Sequence, residues 1–237
     1  MSVPFRFKDR IEPGLVAWLQ SPKTAESAER HNLRLSLRFV QGEPIDVVRN
    51  RQGDSFLKSD ADCVLLLDSD IIPHPELLAL VEHEKPVVGG LCFSFKYYPL
   101  GDDPYGGAFP SPVAFKRFSS DSQARLEVRY QPIKDLVGLV ECDAVGCGAL
   151  LVAREVFEAI EPPWFKTLYR PNGALELRED QYFSERVKEA GYRIYVDCNL
   201  VCGHKVEVDI AKVLGGWEPI FSPVRSPTPL GSPTVGE

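Results

Sequence analysis

Two carboxylates, Asp68 and Asp70, stand one residue apart at the end of the aliphatic run Val64, Leu65, Leu66 and Leu67. Carboxylates this close repel each other. A divalent cation removes the repulsion, and hard ions such as Mg²⁺ and Mn²⁺ favour oxygen ligands. The plainer alternative is an acidic turn that caps a helix beginning near Pro75. Position favours the cation site. Four aliphatic residues in a row read as a short strand buried on both faces, and Pro73 stops further pairing. Asp68, Ser69 and Asp70 then lie at the carboxyl end of a central strand, where open α/β sheets place their ligands.

Three further groups carry chemistry. His204 offers a nitrogen ligand, or else a buried imidazole bonded to backbone, and Lys205 beside it suits a phosphate oxygen or plain solvent. Glu179 and Asp180 open an amphipathic stretch, where an acid either complements the helix dipole or acts as a general base. Trp164 and the aromatic residues Tyr97, Tyr98 and Tyr105 either stack on a ligand or pack on their own domain. Cys198, Cys202 and His204 match no common structural zinc spacing, and the six cysteines include no Cys-x-x-Cys pair.

The elements that must position these groups follow from periodicity. Residues 15–19 read as the first strand, closed at Gln20, Ser21 and Pro22. Residues 23–32 suit a helix, 33–40 alternate with period two as a strand, and 45–59 suit a helix weakened by Gly53. After the Asp68–Asp70 strand come a helix over 75–84 and a strand over 85–93, whose Gly89–Gly90 pair implies close backbone approach. Residues 94–112, rich in Gly, Pro, Tyr and Phe, read as a long loop. Residues 113–118 and 125–131 suit a hairpin. Residues 136–153 are strand-like around Gly146, Cys147 and Gly148, 154–160 a short helix, 177–190 an amphipathic helix capped by Gly191, and 192–196 a strand. Beyond Leu214, five prolines punctuate a tail without periodicity.

The chain has 237 residues and a net charge of −7, which disfavours a general nucleic-acid surface. Its 44% hydrophobic and 26% charged content is that of an ordinary globular protein. No apolar run is long enough to span a bilayer, and residues 1–8 lack the apolar core of a signal peptide, so a cytoplasmic protein without a transmembrane segment is expected.

The order of these features resembles the GT-A glycosyltransferases, especially family 2-like members. The likeness rests on Arg49–Asn50, Val64 to Pro73 with its Asp-x-Asp, Val145 to Phe157, Arg178 to Phe183, and Gly203–His204–Lys205, spread over residues 14–205. It implies an α/β, Rossmann-like single domain with a mostly parallel central sheet flanked by helices. That domain would span residues 1–214, with a nucleotide part over 14–93, an acceptor part over 94–205, and a Pro-rich tail over 215–237. It implies Mn²⁺ or Mg²⁺ held by Asp70 and His204, with Asp68 on the ribose or on the metal through water. Gln20, Ser21, Arg49, Ser69 and Lys205 would help hold a UDP- or GDP-sugar. Gly146, Trp164 and Glu179 would line the site of an acceptor not identified by the sequence. Asp180 would be the base of an inverting transfer, or would orient the acceptor in a retaining one. A nucleotidyltransferase is the weaker expectation, since Gln20-Ser21-Pro22-Lys23 lacks a glycine-rich phosphate loop. A non-catalytic nucleotide-sugar or carbohydrate-binding protein on the same scaffold is the other alternative.

Overall fold

The computed structural model describes residues 2–5, 11–42, 44–100, 103–118 and 129–207. The Pro-rich tail therefore lies outside the described residues. The chain divides into two units, residues 1–94 with 110–206 and residues 95–109 with 207–237. The residues of the site described below belong to the first, whereas Tyr97, Tyr98 and Tyr105 fall in the second.

That unit is built on seven strands: β1 (Ser2–Phe5), β2 (Arg38–Gln41), β3 (Cys63–Leu67), β4 (Val87–Leu91), β5 (Leu139–Cys142), β6 (Ala149–Ala153) and β7 (Ile194–Val201). They lie in the order β5-β7-β4-β6-β3-β1-β2. The sheet is mixed, which corrects the expectation of a mostly parallel one: β1/β2, β1/β3 and β4/β7 are parallel, whereas β5/β7, β3/β6 and β4/β6 are antiparallel. The reversals come from β6, which enters between β3 and β4 against both, and from the edge strand β5, which runs against β7.

Alternation along the central strands feeds two cores. Val64 and Leu66 of β3, with Leu150 and Val152 of β6, face one side together with Phe56, Phe157 and Phe183. Leu65 and Leu67, with Ala149 and Leu151, face the other, against Leu15, Trp18 and Leu77. Strands buried on both faces read as continuous aliphatic runs, as β3 does. Helices α3 (Ile45–Leu57), α4 (Arg154–Ala159) and α5 (Glu179–Glu189) contribute to the first core, and α1 (Pro13–Leu19), α2 (Pro22–Arg30) and the 3-10 turn Leu77–His83 to the second.

Three expected elements differ. The strand expected over 33–40 is confined to β2, Arg38–Gln41. Residues 15–19 form helix α1, not a strand: Pro13 occupies its first turn, and Leu15 and Trp18, three apart, are buried while Val16 is exposed. A five-residue apolar run fits either period, and the proline in the first turn decides it. The first strand is instead Ser2–Phe5. Residues 94–112 are not a loop but fall largely within two paired strands, Phe93–Leu100 and Asp103–Pro112. The side chains of Tyr97, Tyr98 and Tyr105 lie outside the described residues. Close approach at the glycine pair is borne out at Gly90, where a Cβ would sit 2.8 Å from Leu77 Cδ1 and 3.0 Å from the Leu200 carbonyl oxygen.

Candidate active site at the carboxyl end of β3

Strand β3 ends at Leu67, and the backbone turns at once: the Ile71 amide donates to the Asp68 carbonyl at 3.2 Å. That turn is held from outside by the Glu12 amide on the Ser69 carbonyl, 2.7 Å, and by the Lys205 amide on the Asp70 carbonyl, 2.9 Å. Asp68 and Asp70 leave it toward different partners.

Asp68 turns toward α3. Its Oδ1 accepts from Arg49 Nη2 at 2.5 Å, and Arg49 is only 2% exposed. Burial works against the arginine charge, but Asp68, with Glu179 behind it, raises the Arg49 pKa above its ordinary value. The other oxygen, Asp68 Oδ2, lies toward Gly148, where a Cβ would come within 3.4 Å of it.

Asp70 turns toward His204. The short strand Gly203–His204 pairs antiparallel with Ile71–Ile72, setting His204 opposite Ile71. His204 Nδ1 lies 2.7 Å from the Phe93 carbonyl oxygen, which only accepts, so Nδ1 carries a hydrogen. In the neutral ring Nε2 then presents a lone pair to Asp70 Oδ2, 3.3 Å away. Either a proton or a cation must stand between them. The Asp70 contact, with the Phe93 carbonyl, raises the His204 pKa despite its burial.

The spacing fits a divalent ion. Two donors about 2.1 Å from one ion at right angles stand roughly 3 Å apart, and a histidine whose Nδ1 is tied to a carbonyl is oriented as metal ligands usually are. Among the described residues no group of three or more His, Cys, Asp or Glu could hold a metal ion. Such an ion would need further oxygens from a ligand, as Mg²⁺ takes from substrate phosphates.

The third part of the site is the start of α5. Asp180 Oδ1 accepts from the Gln181 amide at 2.7 Å, and the Gln181 side chain accepts from the Arg178 amide at 3.2 Å. Phe183 and Val187, buried one turn apart, fix the helix against the core. Burial, then the neighbouring Glu179 charge, pushes Asp180 from the ordinary 3.8 up to about 6. A carboxylate at that value is free to take a proton near neutral pH and holds it better than an ordinary aspartate.

The other expected site residues fall as follows. Gln20 and Ser21 form the joint between α1 and α2, where Ser21 Oγ accepts from the Lys23 amide as the α2 N-cap. They do not end a strand, because the stretch before them is helical. The seven residues of α1 separate them from Glu12, which touches Ser69. Ser69 is buried at 7% exposure, and the Lys205 side chain is exposed. Gly146 packs on Val113, whose Cβ would lie 3.2 Å from a Cβ at that glycine. Trp164 is a core residue rather than a sugar platform: it is 6% exposed, its Nε1 donates to the Phe157 and Ile160 carbonyls at 3.0 and 2.8 Å, and its ring meets Phe157 edge-on. Arg49 likewise has no face open to a nucleotide. Glu179 stays at the site, half-buried beside Asp180.

No family model matches the sequence, and no curated protein matches it. Solved structures resemble the fold. The crystal structure of A197 from STIV is 18% identical, with a TM-score of 0.49 over 87% of this chain and 85% of that one. GalNAc-T7, crystallised with UDP, GalNAc and Mn²⁺, is 12% identical with a TM-score of 0.48; the match covers 88% of this chain and 44% of that chain. The catalytic domain of Drosophila beta1,4galactosyltransferase 7, in complex with xylobiose, is 16% identical with a TM-score of 0.42 over 87% of this chain and 70% of that chain. At these scores the likeness fixes neither family nor function.

Two participants were missed in the sequence: Phe93, whose carbonyl fixes the His204 tautomer, and Gly148, where a Cβ would meet Asp68 Oδ2. The Gly-Cys-Gly spacing was a signal for the second. A backbone carbonyl leaves none.

Proposed function

We propose that the protein is a metal-dependent glycosyltransferase, moving a sugar from a nucleotide diphosphate to an acceptor hydroxyl. The observation that carries this reading is the Asp70–His204 pair: two donors 3.3 Å apart, one with its tautomer set by a carbonyl, at the end of a central strand. The resemblance of the motifs in sequence to GT-A enzymes agrees with it. A bound Mn²⁺ or Mg²⁺ would supply Lewis-acid neutralisation of charge on the leaving diphosphate.

The chain's own residues do the rest. Asp70 and His204 would hold the ion, and Asp68, clamped by Arg49, would present its second oxygen to the donor. Asp180 accepts the acceptor hydroxyl proton while that oxygen bonds to the anomeric carbon, and the bond from that carbon to the diphosphate oxygen breaks with its electron pair staying on the diphosphate. An Asp raised to about 6 in this position supports the inverting course.

The test is a melting-temperature screen of UDP- and GDP-sugars with and without MnCl₂, followed by transfer rates for the best donor. Asp70→Ala should remove the metal-dependent part of nucleotide binding. Asp180→Asn should leave binding intact and cut transfer by about 10²–10⁴-fold. Metal dependence unchanged in Asp70→Ala by calorimetry would sink the metal assignment, and parent-like transfer in Asp180→Asn would sink the base.

A further inference from the structure

Ser184 stands on the buried side of α5, one helical turn after Asp180, and is sealed from solvent at 0% exposure. Its hydroxyl carries two hydrogen bonds. Oγ donates to the Asp180 carbonyl oxygen at 2.8 Å and accepts from the Val145 amide at 3.3 Å. The first bond alone would be ordinary, since a helical serine often bonds back to the carbonyl one turn before it. The second is not local. Val145 lies 39 residues away in sequence, in the short strand Ala144–Val145 that pairs with Ala114–Phe118. The turn from Val145 to Gly148 is in turn bonded to both other parts of the site. The Asp68 amide donates to the Gly148 carbonyl at 3.0 Å. The Gly146 amide donates to the Val113 carbonyl at 2.7 Å, and the Val113 amide to the Cys92 carbonyl at 3.0 Å. Cys92 precedes Phe93, whose carbonyl holds His204 Nδ1.

We infer that Ser184 is a positioning residue for the proposed transfer: by fastening the first turn of α5 to the Val145–Gly148 turn, it sets where Asp180 stands against Asp68, Asp70 and His204. The inference rests on the transferase reading above for its chemical meaning, but not for all of its test. Phe183 and Val187 bury the helix against the core, and apolar contact has no direction of its own. Two hydrogen bonds on one buried oxygen do have direction, and they fix the helix along and about its axis. A base must lie within hydrogen-bond reach of the acceptor hydroxyl, so a shift of about an ångström in its place is costly.

The rest of α5 has ties of its own. Lys188 pairs with Asp143, and the Tyr130 hydroxyl donates to Glu185 Oε1 at 3.0 Å. Removing the Ser184 hydroxyl therefore leaves the helix docked through its later turns and frees the turn that carries Asp180. That separates a positioning role from a purely structural one. A structural serine would add to the stability of the whole chain and leave the folded site as it was.

The experiment uses the full chain with Ser184→Ala and Ser184→Cys, each checked for folding by circular dichroism. Calorimetry with UDP and with GDP, each with MnCl₂, reads the metal end of the site, and transfer kinetics with the best donor from the screen above read the base. Ser184→Ala should lower kcat by about 10–100-fold at parent nucleotide affinity. Ser184→Cys, whose thiol is a weak donor and acceptor, should fall between parent and alanine. A further measurement needs no turnover. Carboxyl-carbon NMR follows the Asp180 resonance against pH, assigned by its loss in Asp180→Asn. Burial and Glu179 raise the Asp180 pKa to about 6, while the Gln181 amide, Arg49 and Arg178 lower it. A loosened first turn admits water, so the midpoint should fall by about one unit toward 3.8 in Ser184→Ala. An unmoved midpoint overturns the inference. So does a parent kcat in a chain that transfers, or a loss of nucleotide affinity as large as the loss of transfer. If Ser184→Ala does not fold, Ser184→Cys decides by the same readings. Failure of the transferase reading looks different. Neither nucleotide then binds the parent chain, or Asp180→Asn keeps its transfer rate, whereas the response of the Asp180 midpoint to Ser184 still stands.

Discussion

Gly53→Ala tests how α3, the helix that carries Arg49, is seated. Alanine in a helix interior is ordinarily worth up to about 1 kcal/mol over glycine. Here the sign reverses. A Cβ at Gly53 would lie 2.8 Å from Phe157 Cε1 and 2.9 Å from Trp164 Cε3, well inside normal carbon contact. Neither ring can move aside. Trp164 is pinned by its Nε1 hydrogen bonds at 3.0 and 2.8 Å, and Phe157 is wedged against Phe56, Trp164 and Phe183 with centroids 5.4 to 5.6 Å apart. Overpacking of this kind costs about 1–3 kcal/mol, sometimes more. After subtracting a helix gain of about 1 kcal/mol, the net loss should reach about 2 kcal/mol. For a chain of this size that is a fall of up to about 8 °C in melting temperature. Urea unfolding should show a lower midpoint at unchanged slope. The helix would relieve the clash by moving outward, stretching the Arg49–Asp68 contact, so nucleotide affinity should fall as well. A variant as stable as the parent would refute the claim that glycine is required for this packing.

Asp180→Asn should gain stability at pH 8. The folded-state pKa of Asp180 is raised from 3.8 to about 6, so its contribution is fully present below pH 4 and is lost as pH rises through 6. The substitution should therefore stabilise by about 1–3 kcal/mol at pH 8 and by little at pH 4, read by urea unfolding at the two values. Glu179→Gln removes a charge that raises Asp180, so the acidic limb of the transfer rate should move to lower pH; a limb that stays put would count against the coupling. Arg154→Met should cost about 2–4 kcal/mol in the same assay, because the guanidinium satisfies the carbonyls of Phe56, Leu57, Ser59 and Ala61 beyond and at the end of α3. Asp68→Asn should weaken Mn²⁺-dependent binding less than Asp70→Asn, since Arg49 already balances the Asp68 charge; equal losses by calorimetry would place both carboxylates on the ion.

Much of the scaffold could be read locally. The aliphatic run of β3, the buried stripe of α5 and its Gly191 cap each carry a periodic or conformational signal that neighbouring residues suffice to give; Gly191 adopts φ +88°. The direction of β6 had no such signal. Ala149 to Val152 would suit either orientation, and only the pairing of Ala149 with Leu67 through to Ala153 with Cys63 fixes it as antiparallel. The first strand was hidden for another reason. Ser2–Phe5 is four residues long with a proline among them, whereas Leu15 to Leu19 offers a longer apolar run that α1 turns into Leu15 and Trp18 facing inward. Gln20 and Ser21 were misplaced as a consequence, not by a separate error.

The Asp68–Asp70 pair shows why residue types were legible and partners were not. In an extended strand, residues two apart share a face, so both carboxylates would point one way and need one cation between them. The chain instead turns between them, with the Ile71 amide on the Asp68 carbonyl. Each carboxylate then meets its own positive or potentially positive partner, Arg49 at 2.5 Å and His204 at 3.3 Å. Those partners lie 19 residues before Asp68 and 134 after Asp70, so no spacing rule links them. The division has a chemical consequence. Asp68 is balanced by a charge built into the fold and needs no ion to be stable there. Asp70 faces a ring whose proton can leave, so its balance depends on pH or on a bound cation. The second carboxylate is therefore the responsive one, and metal dependence in this protein should be sought at Asp70 and His204.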